Sequence, residues 1–599
     1  MARAMPIQEN ADGSVAYDGG WQNNRQMGMH EEYRFVENIF EELDAPGEWF
    51  HDAETQTLYY YPPPDVDLAT ARVEATRLRH LVEFRGSQAE PVRHVRLRGL
   101  TFRHAARTFM ETKEPLLRSD WTIYRGGALL FDGAEDCALT GCEFDQVGGN
   151  AVFVNKYNRR LAIRGTHIHG AGASAVCFVG DPDAVRNPLF EYNERQSCAD
   201  IDKTPGPKND AYPGDCVVED CLIHDIGLVE KQATGVQISM SRGITVRHCS
   251  IYDVGRAGIN ISEGTFGGHV LEHCDVFDTV RETGDHGSFN SWGRDRFWGL
   301  EGVPPGALPG LALLDVEKNT IRNCRWRCDR GWDVDLDDGS SNYEIYNNVF
   351  LRGGLKLREG FRRKVYNNIA INSSLHAHVW YPDSGDELRH NIWTAAYPDP
   401  IQMPEGPWGA SNDRNLFVGE AALAKARGYG WDRESVAGDP MFVDPDKGDY
   451  RVQEGSPALE LGFVNFPMDR FGVQKPALKA IARTPDLPAL ELALPHVGPG
   501  DAAPIEWMGA TLKELVGEEF SSFGVRREDG GMHVHRVPAG SAAAAADLRV
   551  GDLIQSVNGR PTPIAAAFLE TVQTLPAGEP VQVVLVRYQN SIMAEFRAP

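Results

Sequence analysis

The sequence predicts a mainly β chain: a solenoid of stacked coils, that is, a parallel β-helix, followed by a small α+β domain. Two observations carry this. Between about residues 126 and 395 the chain repeats itself as a short alternating strand, a Cys or Asn, a second short strand, a turn rich in Asp and Gly, and a third strand, with no helical segment. After about residue 505 the pattern changes to isolated strands and a single helical stretch.

The repeat is legible in "CVVEDCLIHDIGLVEKQATGVQISM", "ITVRHCSIYDVGRAGINIS", "NTIRNCRWRCDRGWDVDLDD" and "YEIYNNVFLRGGLKLRE". Its anchors are Cys142, Cys221, Cys249, Cys274 and Cys324, continued by Asn348, Asn368 and Asn391. A coil this short cannot bury its inner face alone, and stacking creates the core. The cysteines then read as small apolar residues filling an inward ladder. The asparagines read as a stack at a turn that satisfies backbone groups.

The elements follow in order. Residues 1–125 hold "GEWFHDAETQTLYYYPPPDVD", a hairpin with a polar turn, and "VRHVRLRGLTFRHA", a first coil. Residues 126–400 form the solenoid core. Residues 401–504 fray into loops and a proline-rich linker near 476–504. Residues 505–599 form the last unit. There "GSAAAAADLRVGDLIQSVNG" places Gly551 and Asp552 before a strand and Asn558-Gly559 at its turn, ahead of the helical "PIAAAFLETVQTL" and the strand "PVQVVLVRYQ". This unit resembles a PDZ domain. The resemblance implies peptide binding by strand addition. The loop expected to take a terminal carboxylate is degenerate here, "SSFGV" at 521–525, so packing on the solenoid stands beside a peptide as its partner.

Composition limits the function. The net charge of −25, from 60 Lys plus Arg against 85 Asp plus Glu, argues against nucleic acid as a partner. No apolar run is long enough to span a membrane, and the first residues show no signal peptide. The ten cysteines include no CxxC pair, so a zinc site and metal ligands are not expected.

Strand alternation makes one outer face readable. With Val236 and Ile238, Ile259 and Ile261, Val334 and Leu336, and Leu355 and Leu357 pointing inward, one outward column reads Gln237, Asn260, Asn290, Asp335, Lys356, His378. A parallel column reads Ser239, Ser262, Trp292, Asp337, Arg358, Trp380. The stretch "RETGDHGSFNSWGRDRFW", 281–298, contributes to the rung just before the Asp row and adds Asp285, His286, Arg294 and Asp295 beside it. Asp333, Asp335 and Asp337 lie along one strand, with Asp338 at its end and Glu359 closing the next rung. Like charges this close need cations, and Lys356 and Arg358 stand one rung on. This is either a self-neutralising surface patch or a groove in which paired acids cleave a glycosidic bond.

The runs "GINISEGTFGGHVLEHCDVFDTVRETGDHGSFNSWGRDRFW" and "DVDLDDGSSNYEIYNNVFLRGGLKLREGFRRKVYNNI", with "HVWYPDSGD", resemble bacterial right-handed β-helix glycoside hydrolases, glycoside hydrolase family 141 in particular. The resemblance implies a right-handed solenoid that acts on plant or algal polysaccharide, with α-L-fucosidase- or xylanase-like activity and no cofactor. Such proteins are usually secreted. On this reading Asp335 is the first catalytic carboxylate, Asp295 its partner, and Asp337 stands in reserve. Asp285, His286, Asn290, Trp292, Arg294, Asp333, Asp338, Lys356, Arg358, Glu359, His378 and Trp380 would contact substrate. Two alternatives stay open: a polysaccharide lyase with Lys356 or Arg358 as base and Ca²⁺ on the Asp row, and a glycan-binding protein without catalysis.

Overall fold

In the computed structural model the described residues are 37–599, apart from 110, 112–116, 118–122, 191–193, 264–265, 284–285, 295–296, 315, 382, 402–408, 491–503, 516–518, 524, 526–528, 577, 588–589 and 598–599, together with four two-residue strands before 37. Three long parallel sheets of 12, 12 and 11 strands run the length of the solenoid. Each coil contributes one strand to each sheet, and every coil-to-coil pairing within them is parallel.

The sheet that carries the acidic row runs through β1 (Val82–Arg85), β2 (Leu129–Glu135), β3 (Val152–Arg159), β4 (Val176–Val179), β5 (Val236–Ser239), β6 (Ile259–Ile261), β7 (Gly287–Ser291), β8 (Trp332–Leu336), β9 (Leu355–Leu357) and β10 (Leu375–Ala377), with Val92–Arg93 paired to β2 and Pro213–Gly214 to β3. Parallel pairing begins at β1, before residue 126, and continues past residue 400 through Leu416–Phe417 to Val436–Ala437. Tyr397, Trp431 and the helix Glu420–Gly428 close the core at that end. The hairpin near the N-terminal end pairs Trp49–Asp52 with Thr57–Tyr60.

A recurrent sharp turn explains the anchors. The residue before each ladder position is left-handed: Gly141, Asp220, His248, His273, Asn323, Asn347, Asn367 and His390 all have φ between 51° and 60°. Gly, Asn, Asp and His tolerate that region better than other residues. The ladder residue itself then points inward. All ten cysteines are free and buried. From Cys324 onward the ladder becomes polar: the Cys324 amide donates to Asn348 Oδ1 (3.1 Å), the Asn348 amide to Asn368 Oδ1 (3.0 Å), the Asn368 amide to Asn391 Oδ1 (3.1 Å) and the Asn391 amide to Asn415 Oδ1 (2.9 Å). The stack extends one coil beyond the expected anchors, to Asn415.

Two expectations beyond residue 400 need correction. The segment expected as a linker is packed in part against the solenoid. Val473 and Leu478 pack with Leu222, Tyr252 and Phe277, and the Gln474 amide donates to Asp220 (2.6 Å). Apolar side chains every few residues anchor this strap despite its prolines. In the last unit, Pro580–Arg587 is followed by one more antiparallel strand, Asn590–Arg597. The predicted helix is Ala565–Gln573, and Asn558 and Gly559 both take positive φ at the turn after Leu553–Val557. Among the described residues no helix is long and apolar enough to cross a membrane.

Candidate active site

The outward column read from alternation is present in register. Gln237 pairs with Asn260, Asn260 with Asn290, Asn290 with Asp335 and Asp335 with Lys356. Asn260 Nδ2 donates to Gln237 Oε1 (2.9 Å) and Asn290 Nδ2 to Asn260 Oδ1 (3.2 Å), so the amides form a continuous ladder. The parallel column is held by amides of Ser262, Trp292, Asp337 and Arg358, which donate to the preceding or following rung.

The last rung departs from expectation. His376, not His378, pairs with Lys356, and the His378 amide donates to Leu357 O (2.9 Å), which puts His378 beside Arg358. The two-residue shift keeps both imidazoles on the outer face. Trp380 is a second correction. It is fully buried in the interior cluster, 5.2 Å from Trp431, with its indole N–H on Leu357 O (3.2 Å), and offers no platform to a sugar. Asp285 and Asp295 lie outside the described residues.

The face is also not an open surface patch. Leu117, Ile123, Val185, Tyr212 and Phe266 pack over its apolar rungs together with Trp292, and Phe297, Ala312 and Phe361 form a cluster beside its charged ones. Asp335 is 0% exposed and Lys356 2%, while Asp337 keeps 8%. Long loops between coils bring this cover, and strand alternation carries no information about them.

Within the cover lies an alternating chain of charge. Glu263 meets Arg294 (Oε1–Nε 2.8 Å), and Arg294 reaches Asp338 (3.7 Å). Asp338 meets Arg358 Nε (2.8 Å), Arg358 Nη1 meets Asp337 (3.3 Å), Asp337 meets Lys356 (3.3 Å), and Lys356 meets Asp335 (3.2 Å). Glu359 also takes Arg358 Nε, at 2.9 Å. Among the described residues these ion pairs set five carboxyl groups against three cations. Carboxyls crowded and buried in this way favour a proton on one of them.

The ionisation follows that logic. Burial disfavours a charge on Asp337, but Lys356 and Arg358 outweigh it and hold this carboxyl well below the ordinary carboxylate range. Burial pushes Asp338 up to about 7, against the pull of Arg358 and helped by the charge on Asp337. Burial also raises Asp333 to about 7, although backbone amides of Cys328 (2.6 Å), Arg352 (2.9 Å) and Gly354 (3.1 Å) donate to it. Asp333 thus ties together the backbone of two coils. Burial and Lys356 push His378 well below its ordinary value, so its imidazole is neutral.

The turn after Asp338 requires glycine. Gly339 has φ +80°, and a Cβ there would stand 2.8 Å from the backbone of Gly293. That contact joins the 337–338 corner to the corner that carries Arg294, since the Gly293 amide donates to Asp338 O (2.7 Å).

Glu263 and Arg256 escaped the sequence reading. Glu263 accepts the Trp292 indole N–H, and Arg256 Nη2 lies 3.2 Å from His286 Nδ1. Both are buried charged residues at coil corners, a signal visible only once burial is known. Among the described residues Asn290 Oδ1 and both ring nitrogens of His378 have no hydrogen-bond partner.

Two family models match parts of the chain. Residues 119–288 match the family model described as right handed beta helix region, and residues 502–585 match the PDZ domain. The chain carries a right-handed β-helix and a PDZ domain. No curated protein matches. A solved structure titled "Glycoside hydrolase" aligns at 14% identity and a TM-score of 0.34, covering 68% of this chain. The chain spans 60% of the length of that one.

Proposed function

We propose that this chain is a glycoside hydrolase acting on a complex plant or algal polysaccharide, with Asp337 and Asp338 as its two working carboxyls. The observation that carries the reading is that both carboxyls meet the guanidinium of Arg358 while only Asp337 also meets Lys356, an asymmetry that favours the charged form of Asp337 and the protonated form of Asp338. Acid–base cleavage of a glycoside needs one carboxyl protonated and one ionised at the same pH. Asp338 supplies the proton to the departing glycosidic oxygen. Asp337, ionised and the more exposed of the two, attacks the anomeric carbon or activates a water towards it. Asp335, fully buried under Lys356, holds that ammonium in place rather than meeting substrate.

The lyase reading is weaker on one specific ground. Lys356 is an ammonium held between Asp335 and Asp337, and an ammonium has no lone pair with which to take a proton.

The test is a panel of aryl glycosides and of pectic, xylan and algal polysaccharides, with wild type, Asp337→Asn, Asp338→Asn and Asp295→Asn. Reducing sugar released by wild type and lost with Asp337→Asn and Asp338→Asn supports the proposal. Loss with Asp295→Asn in place of Asp338→Asn moves the acid to the neighbour of Arg294. An unsaturated, ultraviolet-absorbing product lost in chelator assigns a lyase. Glycan affinity without turnover assigns a binding protein.

A further inference from the structure

A second group of chemistry-bearing side chains lies on a different sheet of the solenoid. The strands Glu143–Asp145, His167–His169 and Leu222–Ile226 are neighbours there. Glu143 pairs with His167 and Asp145 with His169, and the register onward from His167–Leu222 brings His224 to the rung after His169. One outer face thus presents three imidazoles and two carboxylates on three successive rungs.

Their donor atoms converge. His169 Nε2 lies 3.2 Å from Glu143 Oε1, and His167 Nδ1 lies 3.9 Å from the same oxygen. One ligand atom from each of Glu143, His167 and His169 falls within 4.8 Å of the others. Tetrahedral coordination with bonds of ~2.0–2.1 Å places donor atoms roughly 3.4 Å apart. The far nitrogens are also engaged. His169 Nδ1 faces Asp145 Oδ1 at 3.6 Å, His224 Nδ1 meets Asp225 at 2.7 Å, and His167 Nε2 lies 2.8 Å from His224 Nε2. Carboxylates behind imidazoles are the usual outer partners of metal-bound histidines.

Stacking alone does not account for the group. The column His169, His224, Tyr252, Phe277 stacks ring on ring, at 5.5, 5.1 and 4.9 Å. His167 and Glu143 stand in the other column, where stacking needs neither. The imidazoles are half-buried, so the site has both a rigid floor of strands and an open side for water.

We propose that Glu143, His167 and His169 bind one divalent transition-metal ion of the zinc, nickel or copper class, with His224 behind His167 on its far ring nitrogen. Mixed imidazole and carboxylate donors suit these ions over calcium or magnesium, which take oxygen ligands. The ion would pin two successive coils. It would not take part in the proposed cleavage, whose carboxyls lie on another sheet.

The test uses the full chain, stripped with chelator and dialysed, then titrated with Zn²⁺ alone and with Ni²⁺ alone by calorimetry, with elemental analysis for stoichiometry. One equivalent bound, with a rise in thermal midpoint, is expected. The double variant His167→Gln/His169→Gln should weaken binding by ~100-fold or more, and Glu143→Gln by about tenfold. His248→Gln, which alters an imidazole stacked on His273 elsewhere on the solenoid, should leave it unchanged. Should the double variant fail to fold, Glu143→Gln decides. X-ray absorption of the zinc form should show nitrogen and oxygen neighbours only. No stoichiometric binding, wild-type affinity in these variants, or a sulfur neighbour at ~2.3 Å from a cysteine overturns the site.

Discussion

Asp337 and Asp338 are adjacent in the chain and share the guanidinium of Arg358, yet their carboxyls ionise in opposite directions. Asp337 has Lys356 on its far side, whereas Asp338 has only the more distant Arg294 and the repulsion of Asp337 itself.

If these two carboxyls do the chemistry, Asp337→Asn and Asp338→Asn each lower kcat/KM by ~10²–10⁴. Asp335→Asn acts differently, because it loosens Lys356 and removes no reacting group. Its loss should be smaller and should appear as lowered stability too. Steady-state kinetics on the first substrate found in the panel, alongside thermal midpoints, separates the two effects.

The proton on Asp338 sets the pH dependence. Activity should hold through mildly acidic pH and fall as pH rises through about 7, where this group ionises. Stability should carry the same sign. The folded value lies above the unfolded one of ~3.9, so the folded state binds more protons between the two, and stability falls as pH rises through that window. Asp333 adds to this fall, since it too is raised to about 7. Asp337, held low, has the opposite effect: the stability it contributes is present above ~3.9 and is lost only as pH drops through its lower folded value. Thermal midpoints of wild type and Asp338→Asn across pH 4 to 9 check this, and an equal slope in both proteins would contradict it.

Lys356→Met leaves Asp335 and Asp337 buried without their shared cation. A loss of ~3–5 kcal/mol is expected. The double variant Asp335→Asn/Lys356→Met should recover part of it. Chemical denaturation followed through the β-sheet signal measures both. A Lys356→Met protein as stable as wild type would mean that water already reaches the cluster.

The asparagine ladder gives a prediction independent of function. Asn368 Oδ1 accepts from the Asn348 amide and side chain (both 3.0 Å), and its Nδ2 donates to Ile345 O (3.0 Å). Asn368→Ala should cost ~1–3 kcal/mol, the penalty for buried polar groups left unpaired. Hydrogen exchange should quicken first at the Asn348 amide.

The coils, their anchors and much of the acidic face were legible from order alone. Strand side chains alternate with period two, and parallel coils in register repeat that alternation, so Gln237, Asn260, Asn290, Asp335 and Lys356 fall in one column from pattern only. The same property explains the error at the last rung. A shift of two residues preserves the face, and alternation cannot tell His376 from His378 beside Lys356.

Contacts between distant segments were left to the tertiary structure. Whether Trp380 meets substrate or core depends on Trp431, and whether Asp335 is open or sealed depends on loops from other coils. The histidine cluster was hidden because 57 residues separate His167 from His224, and an insertion between them breaks the repeat. Local sequence determined which side of a strand each residue faces, because that is backbone geometry. Burial, and with it which acid keeps a proton, was decided by what the completed fold lays over that side.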